Sequence, residues 1–314
     1  MRDWRYRYGF NLVVAALLVL GCAGCSHEPA ASNTAAQVIL ETNPDTHTVA
    51  LFKIDAKGDA PPLATIKEDS SDLPVDVSAD LTGQIFVANA NGNVKVYVAH
   101  NHRFQHVRTI TGPHTELFHP TGIASDIGGD FYICETGGPG NARVEWFAAG
   151  LNGNILPDWK LMGPQTGITD PRGIALDGSG RVYIADAAKN AILVFDSNPK
   201  GDIAPFATLT QGLHTPQRVT VDMDLDVYVT NADGSVVMYV PTGPQSWDFG
   251  ARFTSPALRK PQGIAVDAAG RVAVASSGTD SILFFAPNAK GVVTPVQDLR
   301  GPTRMNPVGL KILH

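Results

Sequence analysis

One phrase recurs six times along this chain of 314 residues, and its period decides what the chain can fold into. In its clearest form it reads Pro-x-Gly-Ile-Ala-x-Asp-x-x-Gly-x-x-Tyr-x-Ala-Asp, from Pro171 to Asp186. Copies begin at Pro74, Pro120, Pro171, Pro216, Pro261 and Pro307, at intervals of 46, 51, 45, 45 and 46 residues. The sixth is cut short after Ile312. A period of this size marks an array of like units that bury their apolar faces against neighbours.

The columns of the repeat carry its physics. Three residues after each Pro stands an apolar residue: Val77, Ile123, Ile174, Val219, Ile264 or Leu310. Eleven after it stands Ile85, Phe131, Val182, Val227 or Val272. Between these runs comes Asp80, Asp126, Asp177, Asp222 or Asp267, and in four copies Gly83, Gly129, Gly180 or Gly270 three residues later. An Asp that opens a tight turn and a Gly that closes it predict a hairpin, because the carboxylate takes up backbone N–H groups and Gly accepts positive φ. Leu225 stands in the Gly place of the copy at Pro216, which predicts a turn of another shape there.

A third run follows each hairpin, Thr48 to Phe52, Val94 to Tyr97, Val144 to Phe147, Ile192 to Phe195, Val236 to Tyr239 and Ile282 to Phe285. A fourth, with Pro at its start, reads Pro205 to Leu209, with counterparts at Pro62 to Ile66 and Pro295 to Leu299. Pro suits an outer edge strand, where a missing N–H breaks no ladder. Four antiparallel strands per unit, repeated radially, predict an all-β fold, a six-bladed β-propeller. Residues 36 to 66 supply second, third and fourth strands, and residues 306 to 314 a first strand alone, so the two termini should share one blade and close the ring. A charged fraction of 17% with 31 Gly and 22 Pro suits short strands and many turns.

The amino terminus stands apart. Arg2, Arg5 and Arg7 precede an apolar run from Leu12 to Leu20, and Gly21-Cys22 follows. This pattern predicts a signal segment over residues 1–21. Val19-Leu20-Gly21-Cys22 resembles the bacterial lipoprotein box, which implies lipidation of Cys22, a tether over 22–36 and an outer-membrane anchor facing the periplasm. Cys25 is the competing lipidation site, and an ordinary secretory signal is the plainer alternative. Without residues 1–21, which carry three Arg and one Asp, the formal charge moves from −6 to −8. An acidic chain without a basic cluster is poorly suited to nucleic acid. Cys134 is left alone in the body, so no disulfide framework or thiolate metal site can form there; it reads as a small buried hydrophobe.

From Pro171 to Asp177 and Val182 to Asp186, and again from Pro261 to Asp267, the repeat resembles the NHL family, and the resemblance extends over residues 37–314. Alternating strand direction then puts the end of each second strand on one face, here called upper, beside the residue that precedes each Pro. Asn43, Asn89, Glu135, Asp186, Asn231 and Ser276 end the second strands there. Leu73, His119, Asp170, Thr215, Lys260 and Asn306 precede the prolines. Asp76 and Arg218 replace the Gly two places after Pro in blades 2 and 5, counting the split blade as blade 1. These blades are opposite in a ring of six, so the two side chains should face each other across the channel mouth. They form a ligand anchor, form an ion pair that plugs the channel, or point elsewhere. Glu135 and Asp186 in adjacent blades, with His119 nearby, suggest a cation site or acid–base pair, against the plainer role of bonding their own loops. Arg172, one place after its Pro, completes the candidate set at the channel mouth. His100, His102 and His106 form a local cluster that reads as a solvated edge.

Three classes of function remain open, a purely structural role being the third. The expectation is a membrane-tethered, monomeric binding module that presents its upper face to a protein, peptide or glycan, with no cofactor and no bound metal. The alternative is a hydrolase or lyase with a site at the channel mouth, as in other six-bladed propellers. Gluconolactonase-type enzymes place Asn directly after a blade-opening Pro, within a calcium shell of Asn, Asp and Glu. Here that place holds Val75, Thr121, Arg172, Gln217, Gln262 or Val308. The lyases need several histidines at the channel, and only His119 and His214 come near it.

Overall fold

A computed structural model describes residues 37–100, 103–137, 141–301 and 306–313. The signal segment, Cys22, Cys25, the tether to residue 36 and His102 lie outside the described residues, as does the side chain of His100.

Blade 1 holds β1 (Val38–Asn43), β2 (Thr48–Lys53) and β3 (Ala64–Lys67). Blade 2 runs through β4 (Pro74–Ala79), β5 (Gln84–Asn89), β6 (Asn93–His100) and β7 (Arg103–Thr111). Blade 3 holds β8 (Pro120–Ser125), β9 (Phe131–Glu135), β10 (Arg143–Phe147) and β11 (Trp159–Leu161). Blade 4 holds β12 (Pro171–Leu176), β13 (Val182–Asp186), β14 (Ala191–Phe195) and β15 (Ala207–Leu209). Blade 5 holds β16 (Pro216–Val221), β17 (Val227–Asn231), β18 (Ser235–Gly243) and β19 (Ser246–Thr254). Blade 6 contributes β20 (Pro261–Val266), β21 (Val272–Ser276), β22 (Ser281–Phe285) and β24 (Gln297–Leu299). Before β24 the two-residue strand β23 (Gly291–Val292) crosses to pair with β19 in parallel. Last comes β25 (Leu310–Leu313), the inner strand of blade 1, in a sheet ordered β25-β1-β2-β3. The fold is a six-bladed β-propeller.

The split blade closes as the sequence predicts. β25 pairs antiparallel with β1, from Val38 opposite Leu313 to Glu41 opposite Leu310. Beyond the ladder, Thr42 N–H donates to Gly309 O at 3.1 Å and Val308 N–H to Thr42 O at 2.9 Å. The Thr42 hydroxyl accepts from Gly309 N–H at 2.8 Å.

Six apolar clusters fill the six interfaces between blades. Between blades 3 and 4, for instance, Cys134 and Val144 pack against Ile174, Ile184 and Leu193. Strand alternation sends successive residues to opposite neighbours, which is why each strand reads as a continuous apolar run. One place breaks the column. Glu41, 2% exposed, stands where other blades carry Val87, Ile133, Ile184, Val229 or Val274. It faces the interface of blades 1 and 6, where Ala273 replaces the Phe or Tyr of blades 2 to 5. Burial pushes the Glu41 carboxyl well above the usual carboxylate range.

The hairpin turns follow their signature. Oδ1 of Asp177 accepts the N–H groups of Ser179 at 2.8 Å and Arg181 at 3.0 Å, and the same pair of bonds recurs at Asp80, Asp126 and Asp267. The expected change of shape at Leu225 does not occur. Asp222 Oδ1 accepts Asp224 and Asp226 N–H at 3.0 Å each, and Leu225 takes φ 66°. The Asp222 carboxylate imposes the common turn, and the Trp247 indole N–H holds the Leu225 carbonyl at 3.0 Å.

On the outer rim, blades 2 and 5 again differ from the rest. Their third and fourth strands form long hairpins, β6–β7 and β18–β19. In blades 1, 3, 4 and 6 a loop at this place reaches back to the outer strand of the preceding blade. It does so through the contacts Gly58 to Leu299, Gly153 to Ile110, Gly201 to Leu161 and β23 to β19. These loops cover sheet edges that would otherwise stand unpaired.

Candidate functional site

The inner strands begin at the upper face, and their third residues ring the channel just inside its mouth. Four are glycine: Gly122, Gly173, Gly263 and Gly309. A Cβ at Gly173 would lie 2.9 Å from the Arg218 Cα, so the glycines permit the inner strands to converge. The other two places hold Asp76 and Arg218, both buried.

These two meet across the channel. Arg218 Nε stands 3.9 Å from Asp76 Oδ2. Asp76 also accepts Val77 N–H through Oδ1 at 3.0 Å and Ile123 N–H through Oδ2 at 3.1 Å. Arg218 donates from Nη1 to the carbonyls of Arg172 and Gln217, and from Nη2 to that of Val75 at 3.1 Å. The guanidinium therefore ties blades 2, 4 and 5 together. Burial pushes the Asp76 carboxyl up, while Arg218 and the two N–H groups oppose that rise. The two side chains thus stand as an ion pair across the channel mouth rather than pointing apart.

The residues that end the second strands do not point into open space. Asp186 is fully buried and accepts from Thr169 N–H at 2.6 Å, Thr169 hydroxyl at 2.8 Å, and the N–H groups of Asp170 and Lys189 at 3.0 Å. Glu135, also fully buried, accepts from Phe118 N–H at 2.8 Å and His119 N–H at 3.4 Å through Oε2, and pairs with Arg143 through Oε1. Asn231 accepts His214 N–H at 2.9 Å, and Ser276 accepts Arg259 N–H at 3.0 Å. Each holds the loop that enters its own blade. Glu135 and Asp186 are thus separate loop caps, each spent on its own blade.

A second carboxylate shares the cation beside Glu135. Arg143 Nε donates to Glu145 Oε1 at 2.6 Å, so one guanidinium serves two buried acids. Burial, followed by the nearby Glu135 charge, pushes the Glu145 carboxyl up to about 7. The loop residues themselves stand outward. The His119 side chain is exposed and lies 3.4 Å from the Ala90 carbonyl. Arg172 makes a two-pronged bond to Asp170, 2.9 Å at each oxygen, with 42% of its side chain exposed. Phe118 is 58% exposed and Leu73 42%. His106 is exposed, lies edge-on against Tyr97 and bonds Thr109 at 2.7 Å.

Below the ion pair the channel widens into a chamber of about 100 Å³. Among its lining residues are Ser78, Ser125, Thr220 and Lys311, with Asp76 and Arg218 above. Lys311 was not singled out from the sequence, although the signal is there. Four places after Pro the other copies carry Ser78, Ala124, Ala175, Thr220 and Ala265, and Lys311 is the long charged residue in that column. Cys134 is buried as expected, and burial pushes its thiol up to about 12. Among the described residues, no three His, Cys, Asp or Glu side chains stand together as a metal-binding group.

No family model matches the sequence. No curated protein matches it either. Solved structures do resemble the fold. A protein of unknown function from Bacteroides caccae aligns with a TM-score of 0.65 at 12% identity, covering 89% of this chain and 99% of that one. A functionally unknown protein from Desulfotomaculum acetoxidans aligns with 0.64 at 12% identity, covering 88% and 99%. The periplasmic gluconolactonase PpgL of Pseudomonas aeruginosa aligns with 0.58 at 13% identity, again covering 88% and 99%. At such identities the likeness is one of fold.

Proposed function

We propose that this protein is a binding propeller that presents its upper face to a protein, peptide or glycan partner. The observation that carries the reading is the state of the channel mouth. Asp76 and Arg218 pair with each other across it, and Glu135 and Asp186 hold loop backbone. The polar and apolar groups left over stand outward on the same face: Leu73, Phe118, His119 and Arg172. Leu73 and Phe118 are neighbours there. The Leu73 carbonyl accepts Ala90 N–H at 2.9 Å, and Phe118 lies over Gly92 of the same turn. Exposed aromatic, imidazole and guanidinium groups carried on one face of a rigid scaffold are the composition of a recognition surface.

The reading includes a lipid anchor at Cys22. β1 starts at the lower end of blade 1, where Gln37 accepts Ala268 N–H of a lower turn at 3.4 Å. A tether that enters there puts the lower face toward the membrane and leaves the upper face free. The exposed turn residues Leu81, Ile127 and Met223 then face the lipid side.

Three measurements test the proposal. A photo-crosslinking residue at Phe118 should trap a discrete partner in envelope extracts, and the same residue at Met223 should not trap it. Purified protein should hydrolyse D-gluconolactone no faster than buffer, with or without added calcium. Turnover that disappears in Asp76→Asn would replace the binding reading with the hydrolase one. Cys22→Ala should abolish fatty-acid labelling while Cys25→Ala leaves it intact, and labelling that needs neither cysteine would leave plain secretion.

A further inference from the structure

The chamber beneath the ion pair holds an imbalance of charge and of hydrogen bonds. Two cations, Arg218 and Lys311, border it, against the single carboxylate of Asp76. Asp76 is already taken by two backbone N–H groups and by Arg218, and three of the Arg218 bonds go to carbonyls. Lys311 is different. Among the described residues, no hydrogen bond or ion pair meets its ammonium, and its only electrostatic support is Asp76. Removal from bulk water pulls the Lys311 pKa down, and the Asp76 charge works against that fall.

Hydroxyls stand among the apolar residues of the lining, which include Val77, Ile174 and Leu176. The Thr220 hydroxyl has no hydrogen-bond partner among the described residues, and Thr220 borders the same space. Ser78 and Ser125 hydroxyls stand 2.9 Å apart, and Ser78 also accepts Ser125 N–H at 2.9 Å. One hydroxyl proton closes the Ser78–Ser125 bond, which leaves the other free to donate. A net positive chamber with an ammonium and spare hydroxyl donors calls for one negative charge. Its volume of about 100 Å³ has room for roughly three waters, the size of a halide with a water or of an anion of a few heavy atoms.

We propose that the lower channel is a binding site for one small monovalent anion, a halide or a small carboxylate, held by the Lys311 ammonium with hydroxyls of Thr220 and the Ser78–Ser125 pair. The anion stabilises the ring from within, since Lys311 lies on the closing strand β25, Ser78 in blade 2, Ser125 in blade 3 and Thr220 in blade 5. The site is independent of the upper-face reading, and either can fail without the other.

The test is a melting titration of the purified protein with chloride and with acetate. Ionic strength is held constant with the anion of a bulky buffer that the chamber cannot admit. The expected result is a saturable rise in Tm for both small anions. Lys311→Met should abolish it, and Thr220→Val should weaken the midpoint roughly tenfold, the loss of one hydrogen bond to a charged group. Chloride-35 NMR gives an independent readout: protein should broaden the line, and acetate should reverse the broadening. No saturable rise in the wild type would overturn the proposal, as would an equal rise in Lys311→Met. If Lys311→Met does not fold, an unchanged midpoint in Thr220→Val together with broadening that acetate leaves in place would overturn it.

Discussion

Gly309 gives Asp76 its place at the channel mouth: a Cβ on Gly309 would fall 2.7 Å from both the Cα and Oδ1 of Asp76. The closing segment and the channel pair are therefore one construction. Asp76 fits because the segment that seals the ring carries no side chain beside it. Gly309→Ala should accordingly cost roughly 1–3 kcal/mol, the range of overpacking in a tight interior. Chemical denaturation measures this directly, and an unchanged midpoint would mean that closure is looser than the described register.

Asp76 and Arg218 should be coupled. Asp76→Ala leaves a buried guanidinium facing no carboxylate, and Arg218→Ala leaves a buried carboxylate on two N–H groups alone. A double-mutant cycle on unfolding free energy should return an interaction of about 0.5 kcal/mol or more. At 3.9 Å the pair is not a tight hydrogen bond, so the value belongs at the lower end of the range for neighbours. Strict additivity would show that the carbonyl bonds of Arg218 carry all of its contribution.

Leu225 pays for its turn in backbone strain. It adopts φ 66° where four other copies carry Gly. An L residue in this region costs roughly 1–2 kcal/mol, partly offset by the greater unfolded-state freedom of Gly. Leu225→Gly should therefore raise stability by roughly 0.5–1 kcal/mol. Leu225→Val, β-branched at positive φ, should lower it. If both variants melt with the wild type, the Asp222 bonds are not what hold the turn.

The Arg143 triad predicts a dependence on pH. Glu145 has its folded pKa raised from 4.5 to about 7, so between these values the folded state binds more protons than the unfolded state. The stability this group contributes is fully present below about 4.5 and is lost as pH rises through about 7. Glu145→Gln keeps an oxygen for Arg143 and removes the titration. The variant should gain in Tm relative to the wild type as pH goes from 5 to 8. A difference that stays constant across that window would place the titration elsewhere.

Much of this molecule was legible from its repeat. The period gave the number of blades, the apolar columns gave the interblade faces, and the cut at Ile312 gave the closure through β25 and β1. Placing Asp76 and Arg218 in opposite blades needed only the repeat and the symmetry of a ring. Such inferences hold because strand period and blade stacking are set by local sequence and repeated like for like.

The tertiary structure decided what each polar side chain touches. Nothing in the sequence distinguishes a carboxylate facing solvent from one capping a loop, yet Glu135 and Asp186 are fully buried caps. Leu225 shows the same limit in the backbone, since local preference argued for a new turn and the Asp222 carboxylate with Trp247 enforced the old one. Lys311 stood in a readable column, but that it borders a chamber with no partner for its ammonium among the described residues depends on six strands converging. Periodicity is a property of the chain, whereas burial and pairing of charge depend on how distant parts of it approach one another.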